Sequence, residues 1–129
     1  MRVYKSEAGK AALRASYGRL LGRWGVEGEE VDLEGSFGRT HVILAGDPKA
    51  PPLLLFHGVG DDSALMWAEN AAELSRRFRL AAVDTMGGAG KSEPGPAYAG
   101  SFDLAAWYGE VLDALGLGEA FAAGVSYGA

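Results

Sequence analysis

The pentapeptide Gly124-Val125-Ser126-Tyr127-Gly128 sets a serine between two glycines, directly after a short apolar run over residues 120–125. A serine in a tight bend at the end of a strand is how a nucleophile elbow presents its hydroxyl to a substrate carbonyl. The bend strains the backbone at the serine. Side chains at the flanking positions would collide with neighbouring strands, so Gly124 and Gly128 support it. The chemistry implied is nucleophilic attack by Ser126 on an acyl group.

Two other segments stand in a fixed order before it. His57-Gly58 closes a strand over residues 52–57, and Asp84-Thr85-Met86-Gly87-Gly88-Ala89-Gly90-Lys91-Ser92 follows a second over 79–83. Each segment alone is a weak signal in a chain with 20 glycines. Three of them, each directly after a strand and separated by helical stretches, form a specific set.

The elements that must position these residues follow from periodicity. Leu13, Tyr17, Leu20, Leu21 and Trp24 recur at helical spacing, so a helix is predicted over 6–24, capped by Ser6 and ended at Gly25. Residues 30–35 and 39–45 are β-prone runs joined by Ser36-Phe37-Gly38, which predicts an antiparallel hairpin. Residues 52–57 are nearly all apolar without alternation, as expected of a parallel strand buried on both faces. A helix is predicted over 64–77, with Trp67, Ala71 and Leu74 on one side. A strand over 79–83 is closed by Asp84, and a Gly/Pro-rich loop spans 85–100. Ser101 or Asp103 caps a helix carrying Ala105, Tyr108, Leu112 and Leu115, which stops at Gly116. Asp103, Glu110 and Asp113 read as its exposed face. The order predicts an α/β fold: a mostly parallel sheet flanked by helices. The expected organisation is one domain, with residues 1–28 as an N-terminal helical extension and 29–129 carrying the first strands and helices up to the elbow.

Composition narrows the function classes. The 129 residues carry a formal charge of −5, which argues against nucleic acid and anionic membrane as partners. There is no Cys and only two His, so neither a thiolate nor a His-rich metal site is expected, and no cofactor is implied. The start lacks an apolar leader, and no apolar run approaches a membrane span, so a soluble cytoplasmic protein is expected.

With those motifs in hand, the chain resembles the α/β-hydrolase superfamily, in particular bacterial esterase-like members that begin with an amphipathic helix. The resemblance covers nearly all of the chain but only the N-terminal half of the family's fold. It implies that Ser126 is the nucleophile. It also implies that the backbone N–H groups of Tyr127 and Val59 form the oxyanion hole, with Gly60 and Gly58 letting the loop turn its amides inward. Losing one such donor costs on the order of 3 kcal/mol in the barrier. His57 is implied to brace that loop, while Asp84 accepts backbone hydrogen bonds after its own strand. The substrate class implied is a small ester-like molecule. The triad acid and His follow the nucleophile in this family, and neither occurs in these residues. Removing a triad His costs on the order of a million-fold in turnover. The 129-residue chain alone is therefore expected to be a fragment with little or no activity, poorly soluble because its last strand is exposed.

Other readings were weighed. A truncated fold kept as a binding or interaction module would also lack the triad partners. Gly90-Lys91-Ser92 brings a phosphate-binding loop to mind, but Thr85 stands where its first Gly is required, and Glu93-Pro94-Gly95-Pro96 blocks the helix that must follow. His41 reads as a strand residue, and Asp61-Asp62 as a solvated pair rather than a metal site. Met66 and Trp67 read as core before pocket. The bond cleaved and the oligomeric state are not encoded in these residues.

Overall fold

A computed structural model describes residues 3–129. The first helix, α1 (Glu7–Leu21), is capped by Ser6, whose hydroxyl accepts from the Gly9 N–H at 3.0 Å. It ends at Gly22, three residues before the predicted stop, and Gly25 lies beyond it in the left-handed region at φ 73°. Strands β1 (Gly28–Gly35) and β2 (Gly38–Ala45) form the predicted antiparallel hairpin. Strand β3 (Pro52–Phe56) and strand β4 (Arg79–Val83) are parallel neighbours.

The predicted helix over 64–77 is two short helices, α2 (Ser63–Met66) and α3 (Ala71–Leu74). The break has a tertiary cause. The Trp24 indole N–H donates to the Ala64 carbonyl at 3.0 Å, in the place of the bond that the Ala68 N–H would make in a continuous helix. The Ala68 N–H turns instead to Leu65. The 85–100 segment is also more structured than expected. It holds β5 (Glu93–Pro94), paired with β2, and most of α4 (Tyr98–Ser101).

Helix α5 (Leu104–Ala114) is capped by Asp103. Its buried face is Trp107 and Val111, with Tyr108 and Leu112 flanking, whereas Ala105 is exposed. Trp107 was missed because a lone indole does not alter helical periodicity; its N–H reaches the Thr40 hydroxyl at 2.8 Å. Glu110 is not a free surface group either, since it accepts from the Ser36 backbone N–H at 3.1 Å and pairs with the Ser36 hydroxyl.

The last strand is β6 (Phe121–Gly124), parallel to β3. The sheet is mixed, ordered β1-β2-β4-β3-β6, with β5 beside β2. Its parallel part, β4-β3-β6, carries all three chemical segments at one end. Alternation along β3 explains its unbroken apolar sequence. Leu53 and Leu55 face a core with Tyr17, Trp24 and Trp67, while Leu54 and Phe56 face one with Trp107 and Val111. Burying both faces stabilises the strand by roughly 1.5–3 kcal/mol per large side chain.

Candidate active site

Ser126 follows β6 after a single residue, Val125, and opens a 3₁₀ turn, Ser126–Gly128. Its φ is 53°, the one positive φ at a non-glycine among the described residues. A serine held there is strained, and such strain persists only where the surroundings impose it. The two glycines of the box impose it by close approach. A Cβ on Gly128 would stand 2.4 Å from the Phe56 carbonyl oxygen and 2.7 Å from that of His57, at the end of β3. A Cβ on Gly124 would meet the Gly128 carbonyl oxygen at 2.1 Å. Thus Gly128 answers to the neighbouring strand as expected, whereas Gly124 answers to the bend itself.

The loop after β3 is built around one peptide plane. The Gly58 carbonyl accepts from the Asp61 N–H at 3.3 Å, closing a turn in which Gly60, at φ 81°, sits as the third residue of a type II turn requires. The same carbonyl lies 2.9 Å from His57 Nδ1. The ring's other nitrogen, Nε2, accepts from the Thr85 N–H at 3.0 Å. That donor forces the ring proton onto Nδ1, which donates to Gly58. Two donors on one carbonyl fix its plane, and the Val59 N–H, trans in the same peptide unit, points the opposite way. Neither the Val59 nor the Tyr127 backbone N–H has a hydrogen-bond partner among the described residues. Gly58 makes no steric demand, because a Cβ there would be in ordinary contact.

Asp84, fully buried, ties the two loops together. One carboxylate oxygen accepts from the Ser63 N–H at 2.9 Å, the other from the Lys91 N–H at 2.9 Å. Its own carbonyl accepts from the Ser92 hydroxyl at 2.7 Å. A Cβ on Gly90 would lie 2.3 Å from the Asp84 carboxyl carbon. The Gly90 backbone thus packs against a carboxylate, which would repel a phosphate. The Lys91 ammonium pairs with Glu30 at 2.5 Å, and a strand follows rather than a helix.

Asp62 differs from its reading as a solvated group. It is buried and caps α2, accepting from the Leu65 N–H at 2.9 Å. Burial, with the Asp84 charge nearby, pushes its carboxyl above the usual range. Asp61 is partly exposed, and no His, Cys, Asp or Glu group among the described residues is arranged to hold a metal. His41 lies buried in β2 between two carboxylates, with Nδ1 at 2.7 Å from Asp32 and Nε2 at 3.0 Å from Glu30. Trp67 packs in the core, as read.

A cavity of about 200 Å³ lies beside the bend, lined by Tyr127 but not by Ser126, which is exposed. Its walls are the His57–Asp61 loop, Thr85 to Gly88, Tyr98 and Tyr127. A larger apolar groove of about 330 Å³ runs along β6 and α5 and carries none of the polar groups described. The arrangement offers a strained serine, two uncommitted amides and a small adjoining cavity. Sequence reasoning missed Thr85, whose amide sets the His57 tautomer; a backbone donor leaves no side-chain signature.

Comparison with known proteins gives a consistent picture. A family model for the alpha/beta hydrolase fold matches residues 51–129. The carboxylesterase YbfK of Bacillus subtilis (strain 168) is 42% identical over 113 residues, covering 88% of this chain and 38% of that protein. The crystal structure of carboxylesterase CesB (YbfK) from Bacillus subtilis matches with a TM-score of 0.83 at 39% identity, over 91% of this chain and 41% of that one. Naproxen esterase (carboxylesterase NP) from Bacillus subtilis matches with a TM-score of 0.86 at 34% identity, over 97% and 43%. The chain spans about two fifths of the length of these relatives.

Proposed function

Because the chain belongs to the alpha/beta hydrolase fold family, we propose that it is the nucleophile-bearing part of a serine hydrolase acting on a carboxylic ester or related acyl bond. The observation that carries this reading is the left-handed backbone of Ser126, held by the close approach of Gly128 to the end of β3. The similarity to two carboxylesterases supports the acyl chemistry.

In this reading the Ser126 hydroxyl attacks the ester carbonyl and loses its proton to a general base. The Val59 and Tyr127 N–H groups receive the developing oxyanion, their free donors costing no reorganisation. Collapse expels the alcohol, and water then releases the acyl group from the serine. The base is not among these 129 residues. Nε2 of His57 is already an acceptor for Thr85, and both nitrogens of His41 face carboxylates. A serine hydroxyl without a base is a poor nucleophile at neutral pH. In this reading the chain alone has little or no turnover.

Exogenous imidazole tests this. With a p-nitrophenyl ester and imidazole, the chain should accumulate an acyl adduct on Ser126, read by intact mass. Ser126→Ala should show none. Equal acylation in the two proteins, or adducts confined to lysines, would remove Ser126 as the nucleophile.

A further inference from the structure

The 85–92 stretch lines the cavity through Thr85 to Gly88 and meets α1 and the preceding Tyr4 through Ala89 to Lys91. From the α1 side, four residues converge on this short stretch and its continuation into β5. The Tyr4 hydroxyl donates its one proton to the Gly90 carbonyl at 2.5 Å, shared with the Ala89 carbonyl at 3.2 Å. Arg14 and Lys10 reach the Glu93 carboxylate at 2.5 and 3.4 Å. The Lys91 ammonium lies 4.6 Å from the centre of the Tyr17 ring. Arg39 of β2 completes the set on Glu93 at 3.0 Å. The inner side of the stretch is tied to the candidate site. Thr85 holds His57, Asp84 holds Lys91, and Thr85 to Gly88 line the cavity.

We propose that α1, with Tyr4 before it, is a brace that fixes the cavity wall over residues 85–92, and that Glu93 and Tyr4 are positioning residues for that wall. The physical case is one of anchoring. Residues 86–91 contain three glycines and have no ladder partner, so backbone entropy favours opening. Inner bonds from Thr85 to His57 and from Lys91 to Asp84 hold the two ends, and the Gly88 N–H on the Thr85 carbonyl and the Tyr98 hydroxyl on the Met86 carbonyl hold the first turn. The outer bonds to the carbonyls of Ala89 and Gly90, and the three cations on Glu93, hold the middle and the exit. Helix α1 can act as an anchor because Tyr17 is buried in the core beneath it.

Native-state hydrogen exchange on the full chain tests the brace without reference to ester chemistry, so it stands or falls separately from the role of Ser126. Glu93→Gln and Tyr4→Phe should each speed exchange at Gly88 and Lys91, whose N–H groups are bonded to the Thr85 carbonyl and the Asp84 carboxylate, by about three- to tenfold, the effect of removing one or two hydrogen bonds. Amides in β3 and β4 should keep their wild-type rates. In the wild type, 1 M salt should reproduce part of the Glu93→Gln effect, and in that variant it should add little, because the ion pairs on Glu93 are solvent-exposed. Unchanged exchange over 86–91 in both variants would overturn the proposal. So would an equal rise in β3 and β4, which would mark general loss of stability.

Discussion

Gly58 packs against Ser126 across the ends of β3 and β6. A Cβ built on Gly58 would stand 3.5 Å from the Ser126 Cβ and 3.4 Å from the Val125 carbonyl oxygen. These are ordinary contacts, and they contrast with the collision between Gly128 and the Phe56 carbonyl.

The contrast predicts opposite outcomes for two alanine variants. Gly58→Ala should fold with a stability within about 1 kcal/mol of wild type. Its Ser126 Cα and Cβ chemical shifts should stay unchanged. Gly128→Ala should expel the terminal turn, since overpacking against backbone costs about 1–3 kcal/mol. Its Ser126 shifts should move towards extended values. Unmoved shifts in Gly128→Ala would show that the close approach does not hold the bend.

Asp84→Asn should cost about 2–3 kcal/mol in urea unfolding, because an amide can accept from Ser63 or Lys91 but not from both. The N–H left facing the new NH₂ is buried with no acceptor. A loss below about 0.5 kcal/mol would show that the two loops do not depend on this carboxylate.

Acid should loosen the α1 contacts. Burial alone would raise the Glu30 and Glu93 carboxyls. Lys91 and His41 outweigh it at Glu30, and Arg14, Arg39 and Lys10 at Glu93, so both sit below the ordinary 4.5. Stability from a lowered carboxyl is complete above the unfolded value and lost as pH falls through the folded one. Asp62 works in the opposite sense: raised above 3.8 by burial, it favours the folded state less as pH rises through its window. The melting temperature should therefore drop below pH 4.5, and less steeply in a Glu30→Gln/Glu93→Gln variant. Asp62→Asn should steepen the drop. Identical acid slopes in wild type and the double variant would refute the assignment.

Self-association should run through β6. The strand ends the sheet order, all four of its residues are exposed, and Phe121 is 63% accessible. An open apolar edge is a template for another strand. Sedimentation velocity should show concentration-dependent association, reduced by Ala122→Lys. A monomer at all concentrations would count against it.

The order of chemical segments along the chain was readable from residue types alone. Gly-x-Ser-x-Gly after an apolar run, His-Gly after another, and Asp with glycines after a third reflect local steric and periodic constraints that any copy of the fold must obey. So do the helix cap at Ser6 and the doubly buried strand Pro52–Phe56. The breaking of residues 64–77 into two helices was not readable, because it depends on Trp24, some forty residues away, taking a carbonyl. Nor was the His57 tautomer, which rests on the Thr85 amide, or the fate of Glu110 and Lys91, each engaged by a distant partner. Periodicity reports which face of an element is apolar. Hydrogen-bond pairing between backbone groups far apart in sequence carries no such imprint, and folding alone brings those groups within 3 Å.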